Sequence, residues 1–431
     1  MQLEFRRLMH TTMRNALIVT ALLLAPSAAF CAAEALVVEK LEGPVAAAEI
    51  QAFKNSMREA PVPANNIRNA MVYGQGGTAV ESLGRMVEIS GNRDLLDRML
   101  VFTDAMLAAR NDPMTGAIVW TGKRELVWPN RTPEGGKPLY SATENGDVAG
   151  HVAYAAKLIL ENEKLWNVKV GDSDPHRFGA TYREHATRYV REMDRTLESF
   201  ILKWLVQPGT LRYYTPNSAL YEAAAKAGSG NRPVPWNQQT MLNNGFQRMA
   251  ECRALLGDAP ECVKHYEAIV KASVDWFFSS VERVTVKDHV CYKWAYVFEE
   301  PLRHSEDLGH GGGDVAGLYL AYLSGRYGIT AVMMEPFANT VLFVMRTPEG
   351  KFIPRVDGVL NPHGHGPGGL GGKWLGLAEF APELFPIVCN INRGRIKSSP
   401  EITADILWQR QRRAAPPKSP PEEGNKSSRS R

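Results

Sequence analysis

Apolar residues recur three and four positions apart in four segments of this chain, and Gly or Asn follows the last apolar turn. This spacing is typical of helices with one buried face, and Gly or Asn is the usual residue at their C-terminal ends. A second periodic stretch follows two of them, at 94–110 and 261–280, so the repeating unit is a helix hairpin. The four first helices are predicted at 79–92, 149–160, 244–257 and 316–325.

A glycine in each of these first helices allows a neighbouring helix to pack closely. A hairpin that cannot bury its own apolar face must stack on other hairpins. The intervals between the glycines are unequal, which disfavours an open solenoid with a regular period. We therefore predict an all-α fold, an α/α toroid of repeated helix hairpins with short extended runs between them. The glycines are Gly84, Gly150, Gly245 and Gly317.

Aromatic residues and then polar residues follow one another in the connections between hairpins. In a toroid these connections converge on one rim, so we predict a single polar cleft lined by aromatic side chains. The aromatic runs are 116–120, 209–214, 291–296 and 350–355, and the polar stretches are 143–147 with His151, 235–239 with Asn243, and 304–310 with Asp314.

The N-terminal 32 residues have the composition of a secretory signal. Residues 13–32 contain a basic start, an apolar run of about ten residues and then small residues, with cleavage predicted between Ala29 and Ala33. The run is shorter than the roughly 20 residues that a membrane-spanning helix needs. We predict a periplasmic or secreted protein with no membrane association after cleavage.

The charge of the chain is concentrated in its C-terminal tail. The net charge is +4, and residues 410–431 alone contain seven bases and two acids. This tail is rich in Pro, Ser, Lys and Glu, so we predict that it is disordered. The domain predicted at 34–409 is therefore slightly acidic, and we predict no nucleic-acid partner.

Four cysteines follow the signal, and their spacing leaves two interpretations open. Cys252 and Cys262 lie on either side of an apparent hairpin turn, and an oxidising compartment favours a disulfide between them. Two buried thiols on facing helices fit equally well. The chain has no Cys-x-x-Cys pair, and we predict neither a metal nor a cofactor.

The densest group of reactive side chains lies between Tyr292 and Asp314. If its aromatic run is extended, Tyr292, Trp294 and Tyr296 point to one face. Structural roles are also open, because a carboxylate can cap the following helix and His310 can be a core histidine. Loops on rigid scaffolds often carry function, so we interpret this group as a candidate active site.

β-Elimination from a polymer of uronic acids suits these residue types. The reaction needs donors that neutralise the sugar carboxylate and a group that moves a proton at C5. Tyr296 or Tyr292 can move the proton. The candidate donors are Asn145, His151, Asn237, Arg303 and His304.

Three other interpretations remain open. Glycoside hydrolysis needs two carboxyl groups, which Asp147 and either Glu306 or Asp307 can supply. Metal-assisted chemistry would use His304, Glu306, Asp307 and His310, although their spacing is not the His-Glu-x-x-His pattern. A non-catalytic periplasmic glycan-binding protein would use only the aromatic rim. The glycine-rich stretch 363–372 lacks the Lys-Ser/Thr ending of a phosphate loop, so we interpret it as a rim loop whose His363 and His365 touch substrate.

The order of an aromatic run, then Glu306-Asp307-x-x-His310-Gly311, together with Asn145 to His151 and Trp236-Asn237-Gln238, resembles bacterial α/α-toroid polysaccharide lyases. Polysaccharide lyase family 38 is the most similar, over roughly 80–385. The resemblance implies a metal-independent endo-lyase for a β-1,4-linked polyuronate such as glucuronan or alginate. It implies Tyr296 or Tyr292 as acid and base, with His151, His304 and Arg303 also catalytic. The substrate-binding candidates are Asn145, Asn237, Gln238, Trp236, Trp120, Trp294, Glu306, Asp307, His310, Tyr214, His363 and His365.

Overall fold

The computed structural model describes residues 35–130, 138–171, 176–225, 230–298, 304–360 and 369–414. They belong to one structural unit that begins at Ala35. The helices are α1 (Ala47–Arg58), α2 (Gln75–Ser90), α3 (Arg93–Ala108), α4 (Glu144–Leu160), α5 (Tyr182–Thr196), α6 (Ala219–Ala225), α7 (Trp236–Leu256), α8 (Pro260–Ser280), α9 (Leu308–Ser324), α10 (Ala331–Asn339), α11 (Leu384–Ile391), α12 (Arg393–Ile396) and α13 (Pro400–Ala414).

The described residues also contain two strands and several short helical segments. Strands β1 (Glu282–Val286) and β2 (His289–Lys293) form an antiparallel hairpin. Helix α5 continues through the π-helical turn Leu197–Ile201 to Leu202–Trp204, and α10 continues through Thr340–Met345. The 3-10 segments are Ile67–Asn69, Glu163–Leu165 and Gly372–Glu379.

Glycines end three of the predicted first helices, as the sequence indicates. Gly91, Gly257 and Gly325 follow α2, α7 and α9 with φ values of 61°, 69° and 67°. This left-handed conformation costs glycine little, because it has no Cβ. Asn92 then begins the next helix, where its side chain accepts the Leu95 N–H at 3.2 Å. These predicted helix ends are confirmed.

The first helices start earlier than their apolar periodicity indicates. Helix α4 begins at Glu144, α7 at Trp236 and α9 at Leu308. Polar residues suit a first turn, because its backbone N–H groups have no acceptor within the helix. Much of the polar sequence that we assigned to loops therefore lies on the first turns of helices.

Among the described residues, six segments form a closed ring in which each contacts the next. Helix α2 contacts α4, α4 contacts α7, α7 contacts α9, and α9 contacts the 3-10 segment Gly372–Glu379. That segment contacts α13, and α13 returns to α2. Helices α3, α5 and α8 pack on α2, α4 and α7, so three hairpins each give one helix to the ring. The predicted all-α toroid is confirmed.

The four glycines noted in the sequence lie where ring helices approach one another. A Cβ at Gly84 would overlap the ring of Tyr154, and one at Gly317 would overlap the side chain of Thr240. Gly150 and Gly245 lie in the same way between α4 and α7. The prediction of close packing at these positions is confirmed.

Helix α13 closes the ring, and it extends past residue 410, where the disordered tail was predicted to begin. Its Asp405 pairs with Arg85 of α2, and Trp408 Nε1 donates to Glu88 Oε2 at 2.5 Å. Arg410 is buried against Glu49 of α1, with its Nη1 donating to Oε1 at 2.9 Å. The folded part therefore extends to Ala414, because α13 is needed to complete the ring.

All four cysteines of the described residues are free thiols. Cys252 is buried, and its Sγ lies 3.2 Å from the carbonyl oxygen of Ala153. The structure therefore corresponds to the interpretation without a bridge to Cys262. None of the helices described combines the length and apolar character that crossing a membrane requires.

Candidate functional site

The N-terminal ends of the ring helices meet on one side of the toroid, which we call the rim. Gly146 and Gly150 of α4 contact Leu242 and Asn244 of α7 in the same order along both helices, so the two helices are parallel. Gly313 and Gly317 of α9 contact Asn237 and Thr240 of α7 in the same order, so these two helices are also parallel. The first turns of α2, α4, α7 and α9 are thereby brought together, as the convergence of the predicted loops requires.

Beneath the rim, polar side chains of α2, α4 and α7 form a connected group, which we call the bore network. Glu81 accepts from Arg248 Nη2 at 3.0 Å and lies 2.9 Å from His151 Nδ1. The other imidazole nitrogen lies 3.4 Å from Asp147 Oδ2. Asn244 Nδ2 donates to Asp147 Oδ1 at 2.8 Å. Each carboxylate of the network therefore has a cationic neighbour.

The charges of the bore network outweigh the effect of burial. Burial works to lower the pKa of His151, but Asp147 and Glu81 raise it to about 9. Burial works to raise the pKa of Glu81, but Arg248 and His151 hold it well below its usual value. The pKa of Asp147 is likewise lowered against burial, with His151 as the largest cause. His151 is therefore a buried cation at neutral pH.

Glu144 behaves differently, although it lies one helical turn from Asp147. Its Oε1 accepts the Ala142 N–H at 2.9 Å. Burial raises the pKa of Glu144 to about 7, opposed only by backbone hydrogen bonds. The carboxyl group therefore exists in both protonation states near neutral pH. Sequence reasoning did not select Glu144, although its position three residues before Asp147 places both on one helix face.

Tyr73 is a second rim residue that the sequence analysis did not select. Its side chain is 56% exposed, immediately before α2. Partial burial of the ring, followed by the charges of Glu144, Asp147 and Tyr296, raises the pKa of Tyr73. Tyr73 therefore lies close enough to these three groups for their charges to act on it.

A strained turn positions Tyr73. Arg68 and Asn69 have φ values of 53° and 59°, which non-glycine residues rarely adopt. Buried Asn66 holds this turn, because its amide donates to the Trp128 carbonyl at 3.0 Å and accepts the Met71 N–H at 3.1 Å. Such strain is concentrated at functional sites.

Tyr296 lies at the rim beside His310. Its N–H donates to the His304 carbonyl at 3.0 Å, and its own carbonyl accepts the Trp236 N–H at 3.2 Å. The ring centroids of Tyr296 and His310 are 5.4 Å apart. His310 Nδ1 lies 2.7 Å from Asp307 Oδ2, and this hydrogen bond is the main reason that the pKa of His310 is raised. The structure therefore places a phenol next to an imidazole that a carboxylate orients.

Glu306 and Asp314 form a buried carboxyl pair behind His310. The two residues are 1% and 0% exposed, and their carboxyl groups lie within hydrogen-bonding contact of each other. Trp294 Nε1 donates to Asp314 Oδ2, and the Asp307 N–H donates to Glu306 Oε1, both at 2.9 Å. Burial raises the pKa of both, and the charge of Asp314 raises that of Glu306 further. The prediction that Glu306 binds substrate is therefore wrong, because the residue is too deeply buried to touch it.

Several aromatic candidates lie in the hydrophobic core instead of at the rim. Tyr292 packs against Phe278 and Phe337, with ring centroids 6.4 Å and 5.0 Å away. Strand β2 ends at Lys293; Trp294 is buried in the core with Tyr292, whereas Tyr296 is only half-buried. Burial of large aromatic surfaces explains this placement. The core aromatics are Trp120, Trp236, Tyr292 and Trp294.

Asn145 also lies away from the cleft. Its Oδ1 accepts the Trp128 N–H at 2.7 Å, and its Nδ2 donates to Ser141 and Ala142, each at 2.8 Å. With its hydrogen-bonding capacity used in the protein, Asn145 holds the loop before α4. The sequence could not show this, because Asn has the same donor chemistry in either role.

The remaining candidates are divided between the rim and its surroundings. Asn237 is half-buried next to α9, and its Oδ1 has no hydrogen-bond partner among the described residues. Gln238 accepts from Thr143 Oγ1 at 3.2 Å, and Tyr214 stacks on Trp276 with ring centroids 5.7 Å apart. Arg303, His363 and His365 lie outside the described residues.

Glu306, Asp307 and His310 offer ligand atoms within 4.8 Å of one another. Asp307 Oδ1 already accepts the N–H groups of Gly309 and His310, at 2.7 and 2.8 Å, and its Oδ2 is hydrogen-bonded to the imidazole. We interpret these residues as a hydrogen-bonded cluster, and we assign no metal or cofactor to the described residues.

No model of a known protein family matches the chain, and no curated protein matches its sequence. Among solved structures, the chain is similar to a family 76 glycoside hydrolase from a bovine Bacteroides thetaiotaomicron strain, with 10% sequence identity and a TM-score of 0.39. The similar region covers 78% of this chain and 54% of that protein, so the chain spans about half of the hydrolase's length.

Proposed function

We propose that the protein is a polysaccharide lyase that cleaves a uronic-acid polymer by β-elimination. The observation that carries this proposal is the position of Tyr296 at the rim. The phenol lies beside His310, and its charge acts on Tyr73 together with the charges of Glu144 and Asp147. Of the two tyrosines left open by the sequence, Tyr296 alone combines a rim position with reactive neighbours, since Tyr292 is a core residue.

In this reaction Tyr296 would serve as both base and acid. The ionised phenol takes the C5 proton, and the electrons of the C5–H bond form the C4–C5 double bond. The C4–O bond breaks, and the departing oxygen takes the proton from the phenol. Asp307 holds His310 and raises its pKa, and the protonated imidazole would favour the ionised phenol by its charge.

The acidity of C5 depends on neutralising the substrate carboxylate. Neutral Glu144 can donate a hydrogen bond to that carboxylate, and its pKa of about 7 keeps part of the population protonated at neutral pH. Cationic His151 lies deeper in the bore and adds positive charge beneath the rim. The amide of Asn237 completes a set of donors of the predicted kind.

Glycoside hydrolysis is the second candidate, and one observation favours it. Glu144 and Asp147 lie one turn apart, yet the pKa of Glu144 is raised to about 7 while that of Asp147 is lowered. A neutral and an ionised carboxyl group side by side are what a general acid and its partner need.

Product chemistry distinguishes the two candidates. The purified protein would be incubated with glucuronan, alginate and pectate, with a neutral glucan as control, while ultraviolet absorbance and reducing ends are recorded. The lyase proposal expects both signals to rise together on one polyuronate. Reducing ends without the absorbance of an unsaturated uronate would support hydrolysis instead.

Tyr296→Phe tests the residue assignment, with Tyr292→Phe as the matched control. We expect Tyr296→Phe to reduce kcat by about 10²–10⁴-fold, the usual contribution of a proton-transferring group, with little change in substrate affinity. Tyr292→Phe should keep near-normal kcat, because that ring lies in the core. The opposite ranking of the two variants would refute the assignment of Tyr296.

The proposed substrate is an extracellular polymer, which agrees with the signal predicted at residues 1–32. We therefore propose that the enzyme works in the periplasm or outside the cell. N-terminal sequencing of the exported protein tests this: a mature N-terminus between Ala29 and Ala33 is expected, and an uncleaved chain in the cytoplasm would contradict the proposal.

A further inference from the structure

The carboxyl groups of Glu306 and Asp314 lie together in a buried box whose walls include apolar side chains. Trp294 and Val356 line this box at Gly311, where a Cβ would come within 3.3 Å of both Glu306 and Trp294. Glu306 Oε2 and Asp314 Oδ1 have no other hydrogen-bond partner in the part of the chain that the structure describes. Two buried acceptors thus meet without a donor between them.

The charged groups around the pair do not compensate two ionised carboxylates. Asp307 and His310 neutralise each other through their 2.7 Å hydrogen bond. Lys373, on the 3-10 segment, also acts on the pair, but its side chain is exposed to water, which screens its charge. Two like charges buried at contact distance do not both ionise, so at least one carboxyl group keeps its proton at neutral pH.

We propose that Glu306 and Asp314 share a proton and act as a positioning pair that holds His310 beside Tyr296. Glu306 Oε1 lies 3.8 Å from His310 Nδ1, which in turn lies 2.7 Å from Asp307 Oδ2. A neutral Glu306 leaves the imidazole to Asp307. An ionised Glu306 competes with Asp307 for the imidazole proton and displaces the ring from Tyr296.

The positioning role rests on the proposed function, but the shared proton does not. Infrared spectroscopy of the folded wild-type protein tests the proton directly, without any variant. A neutral-carboxyl band is expected at pH 7, and Glu144 also contributes to it; Asp314→Asn or Glu306→Gln should weaken the part of the band that belongs to the pair. Absence of the band from the wild-type protein would overturn the proposal. A stoichiometric divalent cation retained by the purified protein would also overturn it, because the cation would replace the proton.

Stability against pH gives a second test. The pKa of Glu306 is raised from its ordinary 4.5 in the folded state, so its stabilising effect is complete below that value and is lost as the pH rises. Glu306→Gln has no such proton to lose. The ratio of the unfolding equilibrium constants, wild type over variant, should therefore increase by up to about tenfold per pH unit above about pH 5. A ratio that stays constant would contradict the shared proton.

Glu192→Gln is the matched control. Glu192 is 2% exposed, like Glu306, but Arg110, Arg188 and Arg195 lower its pKa against the effect of burial. Its removal should leave the infrared band intact. It should also change the pH dependence of stability only in acid, where wild-type Glu192 takes up a proton. A loss of the band in this variant would show that the band does not report on the pair.

Activity tests the positioning role once a substrate is known. The wild-type enzyme should lose kcat at alkaline pH as the pair ionises, whereas Glu306→Gln should keep a larger fraction of its neutral-pH kcat. An unchanged pH profile with a changed infrared band would leave the shared proton standing and refute positioning. Absence of activity on every polyuronate would refute the lyase proposal, while the infrared and stability measurements would still decide the shared proton.

Discussion

The bore network contains half-buried carboxyls and the Glu306–Asp314 pair contains fully buried ones, and the electrostatics of the two groups are opposite. In the bore, Glu81 and Asp147 are bound by Arg248 and His151, and the pKa of each carboxyl is lowered. Behind His310, each carboxyl has mainly another carboxyl as neighbour, and both pKa values are raised. Burial alone therefore does not determine whether a carboxyl is charged. A neighbouring cation determines the charge state. The carboxyls of the bore network are therefore ionised, whereas the Glu306–Asp314 pair retains a proton.

Removing a cation from the bore network should leave its carboxyls poorly compensated, like those of the Glu306–Asp314 pair. Arg248→Met leaves Glu81 without its guanidinium, and we expect a loss of about 3–5 kcal/mol in the free energy of unfolding. Urea denaturation at pH 7 measures this loss. Glu81→Gln combined with Arg248→Met should recover part of it, because the carboxylate that lost its guanidinium is then removed as well. A loss below about 1 kcal/mol in the single variant would show that Glu81 is not compensated mainly by Arg248.

Weakening one side of the network should give a smaller effect. Asp147→Asn removes a carboxylate that favours the imidazolium, so the pKa of His151 should fall from about 9. One neighbouring charge usually accounts for about 1–3 pH units. NMR titration of the His151 ring measures the change. Asp258→Asn removes an exposed carboxylate that pairs with Arg253; it is the control and should leave this titration unchanged.

Glu144 lies between the two cases, because it is buried without a cation or a second carboxyl as its main influence. If the neutral form binds the substrate carboxylate, kcat/KM should fall as the pH rises through about 7. Glu144→Gln cannot ionise, so this fall should disappear while the rate stays within about tenfold of wild type. A near-complete loss of cleavage in this variant would instead indicate that Glu144 itself transfers a proton, as a hydrolase requires.

The ring of helices could be predicted because its signals are local. A glycine after an apolar turn indicates the end of a helix, and Gly91, Gly257 and Gly325 are three such positions. Gly84 indicates that another helix packs closely there, but the sequence does not show which helix it is. Tyr296 and Tyr292 could not be separated from sequence, because their spacing alone does not show that β2 ends between them.

The charge states at the site depended on tertiary packing. Glu306 and Asp307 are neighbours in sequence, yet Glu306 is buried in the box beside Asp314 and Asp307 is exposed as the N-cap of α9. Nothing in their local sequence distinguishes them. Glu144 was missed for a related reason, because its raised pKa comes from burial by segments distant in the chain.

The parallel order of the ring helices has an electrostatic consequence for the rim. Each helix carries a macrodipole with roughly half a positive charge at its N-terminal end. Helices α2, α4, α7 and α9 all direct that end towards the rim, where Glu144 and Asp307 provide negative charge. The field at the rim is therefore less negative than its side chains alone suggest. An anionic polymer can approach it, and added salt should slow that approach by screening the field.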